Sequence, residues 1–476
     1  MSKALWMVPT YRSLEGAATL GVYAQHFADF NHNDDVDLLL SDDSDQHIHA
    51  VTRSLSQAKK AYGLSIYYLG SEQKEKIRLA ISEKCKFDDQ QSRWLTNVTR
   101  PSYGGNRNAG LLALAILNGA HSYRFLMSSD DDMKPGGYTQ SDDYISRNGH
   151  VLEARFVPKS KITGYKYTNS DIFQAFNETL GQGYEEILRN NHLYKYGQTA
   201  KDVLVSNKFN YATDLVMPST VTHIVVDKSC DKIGGGIVQI AHTFRSGHED
   251  GDASTLIAQA LTNGTSISGG FLSDKDLLIQ DIRPYVVEEN WMHDCGVAGY
   301  TTEFSLKNPF LPTTLRCEDF GHRLKIEQDG DTLGARVNAI QHHNPSTTNR
   351  PGLVHQFFVE EVSFIFKKIL TEAGYPTRKI PQIRPEISDD IIGQMLDRAR
   401  QLKKMAEKST SPDAAMIQNQ IDDVFFSEGI NIHHKVCTEL DKAWQSTVAM
   451  EQIWPTVIDA SQTHAQELTA LIQKIR

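Results

Sequence analysis

Short apolar runs alternate along the first 130 residues with longer stretches whose apolar positions recur at helical spacing. Residues 4–8 (Ala-Leu-Trp-Met-Val) read as a buried strand, 36–40 as a second, 64–69 as a third and 123–127 as a fourth. Residues 14–30, with Leu14, Ala17, Ala18, Val22 and Phe27 on one face, read as a helix. So do 48–61, the charged stretch 72–84 and the alanine- and leucine-rich stretch 108–118. This β-α-β-α-β-α-β order predicts an α/β fold, a mostly parallel sheet with helices on both faces.

In such sheets ligands bind beyond the carboxyl ends of the strands. Those ends carry Pro9-Thr10-Tyr11, Asp42-Asp43 and Asp130-Asp131-Asp132, so acidic and polar groups are expected to converge on one rim. Residues 136–225, rich in Tyr, Asn, Ser and Gly, lack clear periodicity. They read as an insertion with short helices at 171–180 and 184–188 that could contribute to an acceptor site. A strand at 221–227 is followed by Gly234-Gly235-Gly236, where backbone can approach a ligand closely, and 246–252 reads as a polar loop. Beyond about 353 the character changes. A helix at 354–373, a Pro-rich linker at 376–385 and helices at 387–408, 412–426 and 437–475 form a helical C-terminal region. The expected division is therefore 1–350 and 351–476.

Composition narrows the function. The chain has 476 residues, 40% hydrophobic and 23% charged, which are globular values. A net charge of −10 argues against a general nucleic-acid binder. The five cysteines are scattered and form no CxxC pair, so buried reduced thiols in a cytoplasmic protein are expected. The apolar stretch after Met1 is too short for a signal peptide and ends at Pro9. No run of about 18 apolar residues suggests a membrane span.

The chemistry lies in two acidic motifs. Tyr-Arg-Phe-Leu-Met-Ser-Ser followed by Asp130, Asp131 and Asp132 brings hard oxygen ligands to a strand end. That suits a divalent cation bridging to the phosphates of a nucleotide diphosphate. Far downstream, Glu318-Asp319 precedes Arg323, which shares a helical face with Asp319 at i+4. Near a helix N-terminus these carboxylates would stay ionised, as a general base requires.

Taken together, these motifs resemble the nucleotide-sugar glycosyltransferases of the GT-A fold, in particular the large inverting family of cellulose, chitin and hyaluronan synthases and bacterial polysaccharide enzymes. The matching elements are Val8-Pro9-Thr10-Tyr11, Leu40-Ser41-Asp42-Asp43, Gly104-Gly105-Asn106-Arg107-Asn108, the Asp130–Asp132 triplet and Glu318-Asp319 with Arg323. The resemblance implies a GT-A domain plus a helical C-terminal region. It implies Pro9, Tyr11 and Asp43 at the nucleotide base and ribose, and Arg107 at the nucleotide or its diphosphate. Asp130 and Asp131 would lie at the donor, and Asp132, Asp130 and His342 would ligate Mn²⁺ or Mg²⁺. Asp319, with Glu318 beside it, would take the acceptor proton. The implied partners are a nucleotide-diphosphate sugar, UDP being the commonest carrier, and a hydroxyl acceptor. Copies could associate through the C-terminal helices. His343, His242, His248 and His293 are further metal or acceptor candidates, and Trp291 could stack on a sugar. Two departures stand out: 186 positions separate Asp132 from Glu318, and no Gln-x-x-Arg-Trp polymer-binding motif is present, which favours single transfer. Two alternatives stay open. One is a sugar-phosphate nucleotidyltransferase, although no glycine-rich phosphate loop follows the first strand. The other is a catalytically silent GT-A domain that serves assembly.

Overall fold

The computed structural model describes residues 3–131, 253–266, 297–328, 352–427 and 431–476. Between these it describes several strands and a few single positions. The chain forms an α/β fold with a mixed sheet. Strand β1 (Lys3–Thr10) is followed by α1 (Ser13–Asp29), β2 (Val36–Asp42), α2 (Ile48–Tyr62) and β3 (Ile66–Leu69). Helices α3 (Ser71–Cys85), α4 (Asp89–Val98) and α5 (Tyr103–His121) then lead to β4 (Tyr123–Ser129). Strands β5 (Thr222–Asp227), β6 (Val297–Thr301), β7 (Thr332–Val337) and β8 (Gln473–Lys474) complete most of the sheet, whose order begins β8-β3-β2-β1-β4-β6-β5-β7. The four central strands are parallel, as expected. Their neighbours on either side, β6 beside β4 and β8 beside β3, run antiparallel.

The central strands are largely apolar in their middles, as in Ala4–Val8 and Leu38–Leu40, because both faces are covered. Side chains alternate across the pleat. Trp6 faces α1, where it meets Tyr23 and Phe27 at ring-centroid distances of 4.4 and 5.1 Å. Its neighbour Met7 faces α5, where a Cβ on Gly110 would lie 2.0 Å from the Met7 sulfur. Helix α5 is buried at every position from Gly104 to Leu117, which accounts for its composition of Ala, Leu, Gly and Asn. The sequence leaves α4 unassigned. Its start is set by a capping box in which Gln91 N–H donates to Asp88 Oδ1 at 2.8 Å and Asp88 N–H donates to Gln91 Oε1 at 3.2 Å.

Helix α6 (Ala253–Asn263) precedes β6; after that strand come α7 (Thr302–Lys307), α8 (Glu318–Gln328), α9 (Leu353–Glu372), α10 (Asp389–Lys408) and α11 (Ala414–Ile421). The expected helix at 412–426 is thus α11 continued by a π-helical turn, Asp422–Phe426. The expected helix at 437–475 is instead α12 (Ile432–Thr463), a short turn Ala465–Leu468 and strand β8. The correction has a simple cause. Strand β3 would otherwise present an open edge, and β8 pairs with it, Gln473 opposite Tyr68 and Lys474 opposite Tyr67.

One hydrophobic core runs from β1, β2 and α5 through α7 and α9 to α12, crossing position 350 without a break. Helix α12 packs on α3, α4 and α5. Buried Trp454 on α12 donates its indole N–H to the Leu306 carbonyl at 2.7 Å, and buried Trp444 donates to Pro381 at 2.9 Å. Among the described cysteines only Cys317 is buried; Cys85 and Cys437 are half-buried thiols. Among the described residues no helix is long and apolar enough to cross a membrane. The expected helices at 171–180 and 184–188, the glycines at 234–236, the loop at 246–252, and Trp291, His242, His248 and His293 lie outside the described residues, apart from Asp171 and Phe173.

Shared packing has a measurable consequence. Trp454→Ala removes a buried aromatic and its hydrogen bond, and should cost about 3–5 kcal/mol. Because the core is continuous, urea unfolding followed by far-UV circular dichroism and by fluorescence should shift as one coincident transition. Two separate transitions, with only one displaced, would show that the C-terminal helices fold by themselves.

Candidate functional site

Strands β1 and β4 lie side by side at a topological switch point. From β1 the chain moves through α1 to β2 and β3 on one side, then returns through α5 to β4 on the other. The carboxyl ends of β1, β2 and β4 therefore open a crevice, the usual place for ligands in such a sheet. Thr10, Asp42 and Ser129 end those strands.

Three basic side chains lie under this rim, each against a carboxylate. The first is Arg107, on the second turn of α5. Its Nη2 donates to Asp130 Oδ1 at 2.6 Å, and its Nη1 lies 4.0 Å from Glu318 Oε1. The Arg107 side chain is 5% exposed, Glu318 10% and Asp130 38%, so the guanidinium reaches from the core toward a carboxylate that meets solvent. Two motifs 188 positions apart thus share one guanidinium.

The local sequence explains the approach. A Cβ on Gly104 would lie 1.9 Å from the Leu311 carbonyl oxygen and 3.3 Å from the Glu318 Cβ, so only glycine lets α5 touch that segment. Asn108 then fastens it, donating Nδ2–H to the Phe310 carbonyl at 2.9 Å and accepting from Phe310 N–H at 2.8 Å. Glu318 and Asp319 open α8, where the helix dipole favours ionised carboxylates. The side chains of Asp319 and Arg323 lie outside the described set.

The second base, Lys74 near the start of α3, is buried. Its ammonium donates to the Asp42 carbonyl at 2.9 Å, Asp43 Oδ1 at 2.5 Å and Asn106 Oδ1 at 2.8 Å. Burial pushes the Asp43 carboxyl up and the Lys74 ammonium down, and each charge partly offsets the other's shift. Asn106 completes the network, its Nδ2 donating to the carbonyls of Thr10 and Ser41, each at 3.1 Å. Asp42 is fully buried and accepts from Ser44 N–H at 2.9 Å and Tyr68 O–H at 3.2 Å.

The third base is Arg12, in the turn between β1 and α1. Its guanidinium forks onto Asp131, Nε reaching Oδ2 at 3.0 Å and Nη2 bonding Oδ1. Thr10 Oγ1 donates to the same carboxylate at 2.6 Å.

The sequence-predicted residues thus separate into groups. Arg107, Asp130 and Glu318 meet. Tyr11 is half-exposed at the rim, 5.6 Å from the Arg12 guanidinium, and Pro9 is buried inside β1. Asp43 and Asp131 are turned into internal ion pairs, their side chains 6% and 7% exposed. Asp132 lies outside the described residues. His342 and His343 belong to a strand, Ile340–His343, that pairs antiparallel with Met133–Lys134. Ile340 faces Lys134 and Gln341 faces Met133, so His342 is the next residue in the direction of the acidic triplet. Lys74, Arg12 and the two asparagines carry this geometry without having been predicted to. The available signal was position: Arg12 and Lys74 follow strand ends within two and five residues, and Asn106 and Asn108 flank Arg107 in the Gly-Gly-Asn-Arg-Asn motif.

As to a cation, Asp130 offers a hard oxygen donor on the solvent side of the rim, which suits Mg²⁺ or Mn²⁺. Among the described residues no group of three His, Cys, Asp or Glu side chains is arranged to hold a metal. Comparison of the chain with protein families, with curated proteins and with solved structures finds no match.

Helix α8 is held from behind by Lys325, which is buried. Its ammonium donates to the Pro309 carbonyl at 2.7 Å and lies 3.7 Å from Glu451 of α12. Burial pushes its pKa down to about 8, against the pull of Glu451. Between pH 8 and the ordinary lysine value the unfolded chain binds more protons here than the native chain, so stability rises with pH. Wild type should gain about 1.5 kcal/mol between pH 8 and 9.5 relative to Lys325→Met. Urea titrations of both proteins at the two pH values measure the difference, and a parallel response would contradict the assignment.

Proposed function

We propose that the chain is a metal-dependent, inverting glycosyltransferase of the GT-A type, which moves a sugar from a nucleotide diphosphate to an acceptor hydroxyl. The observation that carries this reading is the Arg107 bridge. It brings the strand-end carboxylate and the start of α8 to one side of the switch-point crevice, where a donor and its acceptor would have to meet. The direction of the Ile340–His343 strand supports it, since it leads His342 toward the acidic triplet.

In this reading Asp130, Asp132 and His342 would hold Mn²⁺ or Mg²⁺, and the cation would supply positive charge to offset that of the leaving diphosphate. Tyr11, exposed beside the end of β1, lies against the nucleotide base. Arg107 keeps Asp130 and Glu318 in place and adds positive charge beneath the phosphates. Asp319, in the first turn of α8, accepts the proton as the acceptor hydroxyl attacks the anomeric carbon. Asp43 and Asp131 receive a different role from the one the resemblance implies. A carboxylate already paired with a buried ammonium or a forked guanidinium is costly to release, so these two support the rim rather than grip the donor. The fold accommodates a retaining outcome as well, and product stereochemistry decides between the two.

The test is a panel of nucleotide sugars, read by nucleotide release with and without Mn²⁺. At least one donor should turn over in a cation-dependent way. Asp319→Asn and Asp130→Ala should each lower the rate by about 10²–10⁴-fold while the circular dichroism spectrum is unchanged. Folded wild-type protein that releases nucleotide from no donor, or an Asp319→Asn variant at full rate, would contradict the proposal.

A further inference from the structure

The acidic triplet reads in sequence as three equivalent ligands, yet its middle member is committed elsewhere. Asp131 receives the forked Arg12 guanidinium and the Thr10 hydroxyl on its carboxylate. Its backbone carbonyl accepts from Thr19 Oγ1 at 2.5 Å. Two residues earlier, Ser129 Oγ accepts from the Trp6 indole N–H at 3.0 Å. The end of β4 and the turn after it are therefore stapled to β1 and α1 at residues 129 and 131, on either side of Asp130. Immediately before the clamped residue, Asp130 faces Arg107 and solvent. Arg12 also removes one negative charge from a run of three. Without it, mutual repulsion would work against presenting the neighbouring carboxylates together.

We propose that Asp131 is a positioning residue, and that the Arg12–Asp131 clamp fixes the acidic turn with Asp130 on the cation side of the rim. The assignment of that rim to a cation and a nucleotide diphosphate rests on the function proposed above; the clamp's hold on the turn does not. Arg12 in this account touches neither donor nor metal. Its effect passes through Asp131, as the partners behind metal ligands commonly act.

Arg12→Ala, Asp131→Ala, Arg12→Lys and the Arg12/Asp131 double alanine variant test this, with two readouts on the full-length protein. The first is amide hydrogen exchange of the ligand-free protein. Either single alanine variant should raise exchange across residues 126–135 by about tenfold and leave residues 36–43 unchanged. The second is the Mn²⁺ concentration that half-saturates nucleotide release. It should rise about 10–100-fold with a smaller change in kcat. The double variant should be no worse than Asp131→Ala, because both changes remove one interaction. Arg12→Lys should restore part of the protection. If Asp131 instead contacts the donor, Asp131→Ala will weaken nucleotide binding with exchange unaltered and Arg12→Ala will resemble wild type; that result overturns the proposal. Should the protein have no transferase activity, the exchange measurement still decides whether the clamp positions the turn. Should Arg12→Ala fail to fold, Thr19→Val, which removes only the bond to the Asp131 carbonyl, must still raise exchange at 126–135, and no rise refutes the clamp.

Discussion

A guanidinium taken out of water must be compensated, and in this chain that requirement organises the rim. Arg107 lies almost wholly in the core, and two carboxylates from distant parts of the sequence come to it, Asp130 at 2.6 Å and Glu318 at 4.0 Å. Removing either carboxylate would reduce the compensation of a buried charge, a larger penalty than the net worth of a surface pair. Arginine suits the position because its planar fork offers separate nitrogens to separate acceptors, which an ammonium on a flexible stem does less well. The bridge therefore fixes where the strand-end acid and the start of α8 lie relative to each other.

The rest of the scaffold supports that one relation. Helix α5 presents Arg107 from a position buried on all sides. Its asparagines act as connectors: Asn106 ties the ends of β1 and β2 to Lys74, and Asn108 ties the segment before α8 to α5. Glycine at 104 allows the close approach that these bonds require. Behind α8, Lys325 and Glu451 connect it to the long C-terminal helix, so a region that reads as separate in sequence braces the element bearing Glu318 and Asp319.

Much of the fold was legible in the sequence, because strands buried on both faces give unbroken apolar runs such as Ala-Leu-Trp-Met-Val. The parts that were not legible have physical reasons. Helix α4 buries only Leu95 and Val98, too few apolar positions to show a period, and only its Asp88/Gln91 cap announced it. The antiparallel β8 depends on an exposed edge at β3, which exists only once the sheet has formed. In the site, the strand-end acids were legible as a group, but their individual roles were not. Asp130 and Asp131 are neighbours of identical chemistry, and what separates them is Arg12, which approaches from 119 residues away. Asp43 at the end of β2 is likewise paired with Lys74, 31 residues on in the first turn of α3, and no spacing rule connects a strand end to the helix that follows the next strand.

The central claim is that the strand-end acids and the start of α8 surround one bound nucleotide diphosphate. Anomalous X-ray scattering from crystals soaked with Mn²⁺ and uridine diphosphate addresses it most directly. The account predicts a manganese peak in contact with an Asp130 oxygen and with the diphosphate, the terminal phosphate directed toward the N-terminus of α8. A nucleotide bound away from the carboxyl ends of β1 and β4, or manganese with no contact to the acidic triplet, would contradict it.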